Sequence, residues 1–369
     1  MRGPVSSAAR RLARVRAELA ERELDGLLVS HSANLRYLTG FAGSSGWLLL
    51  DEDQVIFVTD GRYDTQARTE LPDDAGFELL VLRDQPIAGL AERAAREFAG
   101  RHLGFEADHV TVGEWERLRA AEGAVDWRPV LGLVEEVRAR KDEDEIALIR
   151  KAAEIAAAAL IDTLPLVQSG AREVDIAAEL EYRMRRHGAE AVAFETIVAS
   201  GERSALPHAA TSEREIREGD LLIIDFGARW RGYCSDLTRT FVVGQPDDRQ
   251  QRAYDLVLAA HQAACSNLRD GALGSDVDAA ARRIFDVEGL EDRFPHSSGH
   301  GLGLQVHERP RLGRRSEERL RPGMVVTVEP ALYFPEWGGI RIEDDLVVTA
   351  EGAAALVALE KHRLRSLPL

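Results

Sequence analysis

Apolar spacing sets the first expectations. Leu12, Val15 and Leu19 share one helical face, so the basic opening "MRGPVSSAARRLARVRAELA" reads as leading into an amphipathic helix. "DGLLVS", "GWLLLD" and "QVIFVTD" are apolar runs of strand length. The last two flank "DED", which predicts a hairpin turn. "PIAGLAERAAREFAG" has the helical period, and "HLGFEA" reads as the strand after it. Helices and strands in alternation predict an α/β unit with its own core.

Near residue 135 the pattern changes. "RARKDEDEIALIRKAAEIAAAAL" opens as a charge run and becomes a long helix with Ile146, Ile149, Ala153 and Leu160 on one side. Its acids stand at the start, where the helix dipole favours negative charge. Further helical patterns follow in "DIAAELEYRMRRHG", "QQRAYDLVLAAHQAACSNL" and "SDVDAAARRIFDVEG", and then strands. The expected domains are residues 1–135 and 136–369.

Composition narrows the partners. A chain of 369 residues, 45% hydrophobic, can bury a sizeable core. A net charge of −16 argues against a sequence-independent grip on nucleic acid and against an anionic membrane surface. Cys234 and Cys265, outside any CxxC, form no disulfide framework and point to a reduced, cytoplasmic protein. No stretch approaches the length of a membrane span.

The chemistry begins in "PHSSGHGLGLQVHE", Pro295 to Glu308. His296, His300 and His307 lie there among glycines and aliphatic residues, with no lysine or arginine. Imidazoles in so apolar a segment are expected where water is scarce, and each then needs a partner. Two hairpins supply acids. In "DLLIIDFGARWRGYCSDLTRTFVV" an apolar strand ends in Asp225, and a turn centred on Trp230–Arg231 would set Asp236 opposite it. "MVVTVEPALYFPEWGGIRIEDDLVVT" repeats the plan: a strand ends in Glu329, "FPEWGG" turns, and Glu343 returns roughly opposite. Buried like charges are unfavourable without a cation between them. Four carboxylates and one imidazole suit two divalent cations of the Mn²⁺, Co²⁺ or Zn²⁺ type. Ions ~3.5–4 Å apart can share a bridging hydroxide, a strong nucleophile at neutral pH. HExxH, GxSxG, P-loop and GxGxxG signatures are missing.

These residues resemble the pita-bread metallopeptidases, which include methionine aminopeptidase, aminopeptidase P and prolidase. The resemblance rests on "IDFG", "CSDLTRT", "GHGLG", "VEP" and "RIEDD", in that order over about 230 residues. It implies an α/β (α+β) chain, with a creatinase-like N-terminal α/β domain followed by a pita-bread catalytic domain. The implied metal ligands are Asp225, Asp236, His300, Glu329 and Glu343, holding two divalent ions, with Mn²⁺ the first expectation and Co²⁺ or Zn²⁺ possible. His208, in "RSALPHAA", and His307 would hydrogen-bond the substrate carbonyl or the tetrahedral intermediate. Ala209 follows His208 where the family often has glycine. His296 would hold the proline side, Glu329 would also move the proton, and Arg341 would brace an acidic ligand. Creatinase lacks these ligands, methionine aminopeptidases lack the first domain, and the non-catalytic binding relatives have lost ligands.

Two activities remain, both acting before proline. "YLTGFAGSSG" and "VTDGRYDTQA" resemble aminopeptidase P more than prolidase, so the main expectation is removal of the first residue from Xaa-Pro peptides. Cleavage of Xaa-Pro dipeptides alone is the alternative. "GFAGSSG" reads equally as a glycine turn, and Arg62 as a surface ion pair rather than an active-site contact. Relatives of this type are often homodimers.

Overall fold

A computed structural model describes residues 7–84, 86–121 and 125–368, so the first six residues of the basic opening lie outside the described residues. The chain divides into two compact units, one reaching Arg138 and the other starting at Ala139.

In the first unit the elements run α1 (Ser7–Glu21), β1 (Gly26–Val29), α2 (Ser32–Thr39), β2 (Trp47–Asp51), β3 (Val55–Thr59), α3 (Asp64–Glu70), β4 (Phe77–Val81), α4 (Pro86–Glu97), β5 (His102–Glu106), α5 (Val112–Ala120), β6 (Asp126–Val130) and α6 (Leu133–Ala139). One sheet orders them β4-β3-β2-β1-β5-β6. β2 pairs antiparallel with both β1 and β3, whereas β4, β5 and β6 join in parallel. The predicted hairpin is β2–β3. Leu12, Val15 and Leu19 are buried along α1, as their spacing requires. Arg62 forms an exposed ion pair with Asp60 at 2.8 Å.

The second unit opens with α7 (Glu143–Thr163) and α8 (Glu173–Arg186). Asp142 and Glu145 form a capping box that starts α7, so part of the charge run serves the helix end. Then come β7 (Ala191–Val192), β8 (Ile197–Ser200), β9 (Leu221–Phe226), β10 (Ala228–Trp230), β11 (Tyr233–Cys234) and β12 (Leu237–Val243). Two helices follow, α9 (Asp248–Asn267) and α10 (Gly274–Val287). Last are β13 (Gly299–Gly301), β14 (Glu308–Leu312), β15 (Val325–Val328), β16 (Ala331–Phe334), β17 (Gly338–Arg341), β18 (Asp344–Val348), β19 (Ala353–Ala355) and β20 (Arg365–Leu367). The main sheets are ordered β20-β12-β9-β8 and β14-β13-β15-β18-β19.

β9 shows why its sequence is apolar without alternation. Leu221 and Ile223 enter a core formed with α9 and α10, while Leu222 and Ile224 enter one formed with α7 and α8. A strand covered on both faces needs apolar side chains at every position. Its end is then the one place where Asp225 can stand.

The β9–β12 hairpin corrects the expected register. Trp230 pairs with Tyr233, so the turn residues are Arg231 and Gly232, one position later than expected. Both have positive φ, 47° and 86°, as a two-residue turn matched to strand twist demands. The shift sets Asp225 opposite Thr238 rather than Asp236. The two acids therefore lie diagonally, still on one face, because side chains alternate with period two. The second hairpin keeps the expected register: Val328 pairs with Asp344 and Ala331 with Arg341, which places Glu329 opposite Glu343.

The left-handed Arg231 gives a direct test. Arg231→Asn supplies a residue that tolerates this conformation, and should raise stability by about 0.5–1 kcal/mol in thermal melts. Gly232→Ala should lower stability by a similar or larger amount.

Candidate metal centre

Asp225, Asp236 and Glu343 are buried, with Asp345 beside them. Ligand atoms of Asp236, His300 and Glu343 lie within 4.8 Å of one another. Glu329 joins them through its Oε1, 3.5 Å from His300 Nε2, and Asp236 Oδ2 stands 3.7 Å from the same nitrogen. These separations exceed a hydrogen bond. They approach the spacing of two donors sharing one ion, about 3–3.5 Å for bonds of ~2.0–2.2 Å. Asp225 reaches the group from the side, and its buried Oδ1 has no hydrogen-bond partner among the described residues. An orphaned carboxylate oxygen in a cluster of acids is the chemistry a divalent cation satisfies.

Neighbouring side chains fix the acids. Arg341 gives Nη2 to Asp225 Oδ2 at 2.5 Å, Nη1 to the Tyr333 hydroxyl at 2.8 Å and Nε to Thr238 Oγ1 at 3.1 Å. Thr238 in turn donates to Glu343 Oε2 at 2.5 Å. Asp345 Oδ2 accepts the backbone N–H of Asp236 at 3.1 Å. Asp344, its neighbour on the opposite strand face, is held by Arg239, His261 and Lys361.

Glycines let the strands close in. A Cβ at Gly227 would lie 2.0 Å from the Ser235 carbonyl oxygen. On either side of His300, a Cβ at Gly299 would meet the Thr327 carbonyl oxygen at 2.0 Å, and one at Gly301 that of Arg309 at 2.0 Å. His300 is thus threaded through a gap only glycine permits.

The histidine segment hangs from α10. Asp278 accepts the Ser298 N–H at 3.0 Å and its hydroxyl at 2.7 Å. Arg282 bonds Asp278, the Phe294 carbonyl at 2.9 Å and the His296 carbonyl at 2.5 Å. His300 Nδ1 faces the Gly301 carbonyl at 3.1 Å, which makes it the protonated nitrogen and leaves the Nε2 lone pair toward the acids. His296 Nε2 meets the Tyr333 hydroxyl at 2.9 Å. His307 packs edge-on against His300, centroids 4.4 Å apart.

The expectation that all three histidines avoid water holds only in part. His300 is buried and His296 partly so, but His307 is exposed. Burial falls along the loop after Gly303, although Leu304 and Val306 still pack on a core cluster, and Lys141 holds the loop's end through Glu308 at 3.3 Å. His208 is exposed too. It still lies close enough to act electrostatically on Asp225, His296 and His307. Thr238, Tyr333, Asp278, Arg282 and Asp345 escaped the sequence reading. Thr238 carried a signal, two residues after Asp236 on the same strand face. Tyr333 and the α10 pair carried none, since their partners are distant in sequence.

Electrostatics fit a site built for cations. Burial, then repulsion from Glu343, Asp225, Asp345 and Glu329, drives Asp236 well above the usual carboxylate range. Burial, then Glu329 and Asp225, does the same to Glu343. Burial raises Glu329 to about 8 and also raises Asp225, although Arg341 opposes both. Burial depresses His300 and His296 to about 4, so both are neutral at neutral pH, with a ring nitrogen able to offer a lone pair. Arg341 keeps its charge against burial because Tyr333, Asp225, Glu343 and Glu329 surround it.

Converging buried acids and one neutral imidazole define the class: a divalent-metal site of the kind hydrolases use. Comparison with known proteins narrows it. Residues 147–350 match metallopeptidase family M24, and residues 11–140 match the creatinase/prolidase N-terminal domain. The chain belongs to metallopeptidase family M24. It is 35% identical over 342 residues to a protein of Pyrococcus horikoshii named Xaa-Pro dipeptidase, covering 92% of this chain and 94% of that one. The structure of an Xaa-Pro dipeptidase from Bacillus anthracis matches with a TM-score of 0.93 and 38% identity, over 98% of this chain and 100% of that one. An X-Pro aminopeptidase structure from Thermotoga maritima matches with a TM-score of 0.87 and 34% identity, over 97% and 99%. The fold is that of the family: a creatinase-type first domain and a pita-bread second one.

The acids predict a pH signature. A carboxyl raised in the fold contributes stability that is complete below its unfolded value, 4.5 for Glu329, and lost as pH climbs through the folded value, about 8. The depressed histidines act in the opposite direction, but only below 6.5, their unfolded value. Between pH 6.5 and 8 the acids therefore act alone. Metal-free protein should lose about 1–2 kcal/mol through Glu329 across that window, and saturating divalent metal should flatten the slope. Thermal melts with and without metal decide it.

Proposed function

We propose that the protein is an Xaa-Pro dipeptidase, a prolidase that hydrolyses the bond before proline in dipeptides. The carrying observation is the end-to-end match to the proteins of Pyrococcus horikoshii and Bacillus anthracis that bear this name. It reverses the order expected from "YLTGFAGSSG" and "VTDGRYDTQA". Action on longer Xaa-Pro peptides is the second reading, favoured by the Thermotoga maritima X-Pro aminopeptidase.

Asp225, Asp236, His300, Glu329 and Glu343 would hold two divalent ions, with Mn²⁺ expected first and Co²⁺ or Zn²⁺ also suited to these donors. When bound, the ions supply an activated water and polarise the scissile carbonyl. Glu329, facing both His300 and His296, takes the water's proton and delivers it to the proline nitrogen as that nitrogen leaves. His307 and His208, at the exposed rim, donate to the oxygen where charge develops. His296, tethered to Tyr333, borders the proline side. Arg341 binds no substrate; it holds Asp225 in its ligating position and neutralises part of the acid cluster. A cytoplasmic homodimer is the state in which we expect this chemistry to run.

Three measurements test this reading. Purified protein with added Mn²⁺ should cleave an Xaa-Pro dipeptide and leave an Xaa-Pro-Yaa tripeptide nearly intact. Strong tripeptide cleavage would establish the aminopeptidase instead. Chelation should abolish turnover, and full activity without metal would sink the two-ion reading. Finally, His300→Ala should lose metal and activity together, whereas His307→Ala should keep its metal and drop ~100- to 1000-fold in kcat. Equal metal loss in both variants would overturn the division of roles.

A further inference from the structure

The first unit carries a second cluster with metal-ligand chemistry. His31 stands at the N-terminal cap of α2, His109 between β5 and α5, and Glu135 in the first turn of α6. Ligand atoms of the three lie within 4.8 Å of one another. Glu135 Oε1 is 3.8 Å from His31 Nδ1 and 3.4 Å from His109 Nε2. Two donors on one tetrahedral ion, with bonds of ~2.0–2.1 Å, lie about 3.3–3.4 Å apart. To share one ion the two stacked rings must turn out of parallel, so that their in-plane lone pairs converge beside Glu135.

The surroundings prepare these groups as ligands. His31 caps no helix N–H with its side chain, and its Nδ1 is buried with no hydrogen-bond partner among the described residues. Its ring stacks on that of His109, centroids 3.8 Å apart and 8° from parallel, an arrangement two imidazolium ions would not tolerate. Burial, with His109 and Arg138 nearby, lowers His31 to about 4 and leaves it neutral. Glu106 fixes the backbone, accepting the N–H groups of Ser30 at 2.6 Å and His31 at 2.7 Å. Asn34 aims Glu135 by donating to its Oε1 at 2.6 Å while its own oxygen receives Arg138 at 2.6 Å. A cavity of ≈ 10 Å³ opens beside Glu106, Asp108, His109 and Glu135, about the room of one water-sized body.

We propose that His31 Nδ1, His109 Nε2 and Glu135 Oε1 form a separate binding site for one transition-metal dication of the Zn²⁺ type. Two imidazoles and a carboxylate are the donors such an ion selects, with a fourth position left for water. The ion ties the start of α2, the loop before α5 and the start of α6 to one point. It does not belong to the peptidase centre, whose ligands all lie in the second unit.

The test counts ions. Full-length protein is dialysed against fixed free Zn²⁺ and bound zinc is measured by elemental analysis. His31→Gln/His109→Gln should bind one ion fewer per chain than the wild type and keep its peptidase activity at saturating metal. Equal zinc content in the two proteins would overturn the site. A second measurement leaves the cluster intact: Asp236→Asn/Glu343→Gln/His300→Ala, which removes three of the five proposed peptidase ligands, should still retain one Zn²⁺ per chain. That ion should disappear when Glu135→Gln is added. Retention of the ion once Glu135→Gln is added, or no zinc in the parent variant, rejects the assignment.

Discussion

Everything in the second unit answers to one constraint: four carboxylates, with Asp345 as a fifth, are held out of water within reach of one another. Arg341 is the guanidinium that contacts this group directly, through Asp225. One positive charge does not balance so many negative ones, and burial makes each residual charge more expensive than at the surface. The fold resolves this by raising proton affinity in the bare protein and by leaving donors aimed at a common space. Thr238 links Arg341 to Glu343, so the two hairpins share a single polar network rather than two separate ones. The same pressure explains why His300 must be neutral.

Much of this was legible in the chain. Continuous apolar runs ending in an acid announced buried strands with carboxylates converging at their tips, and glycines around His300 announced close packing. What failed was the count across the first hairpin. Turn residues set register, and Arg231 gave no hint that it would adopt a left-handed conformation normally taken by glycine or asparagine. The exposure of His307 was equally hidden. Its apolar neighbours suggested burial, but the Lys141–Glu308 anchor that fixes the loop end joins residues far apart in sequence. Local pattern reports what a segment can do, and such distant pairs decide which option is taken.

The histidine segment is held from two sides, by α10 and by the strand that leads to Glu329: the Ser298 carbonyl accepts the Glu329 N–H at 2.8 Å, and Gly301 pairs with Val326. Asp278 and Arg282 occupy successive turns of one helical face and grip the backbone between Phe294 and Ser298. His300 therefore shares a sheet with the strands that flank Glu329 and Glu343, and α10 adds a second hold through the core it forms with α9 and the sheets.

The acids have one more consequence, for the chain before it is folded. Arg341 and Asp225 are 116 residues apart, and Asp236 and Asp345 are 109. Closing loops of that length is slow, because their entropy must be spent before any contact rewards it. Until those loops close, β9 and β15, which are almost wholly apolar, have their hairpin partners but not the full core that covers them, and such segments stack with their like in neighbouring chains. Asp220 and Asp225 bracket the first, and Glu329 ends the second. Charges at the margins of such strands act as gatekeepers against aggregation. The residues least comfortable in the finished site are thus the ones that keep its strands apart until the site can form.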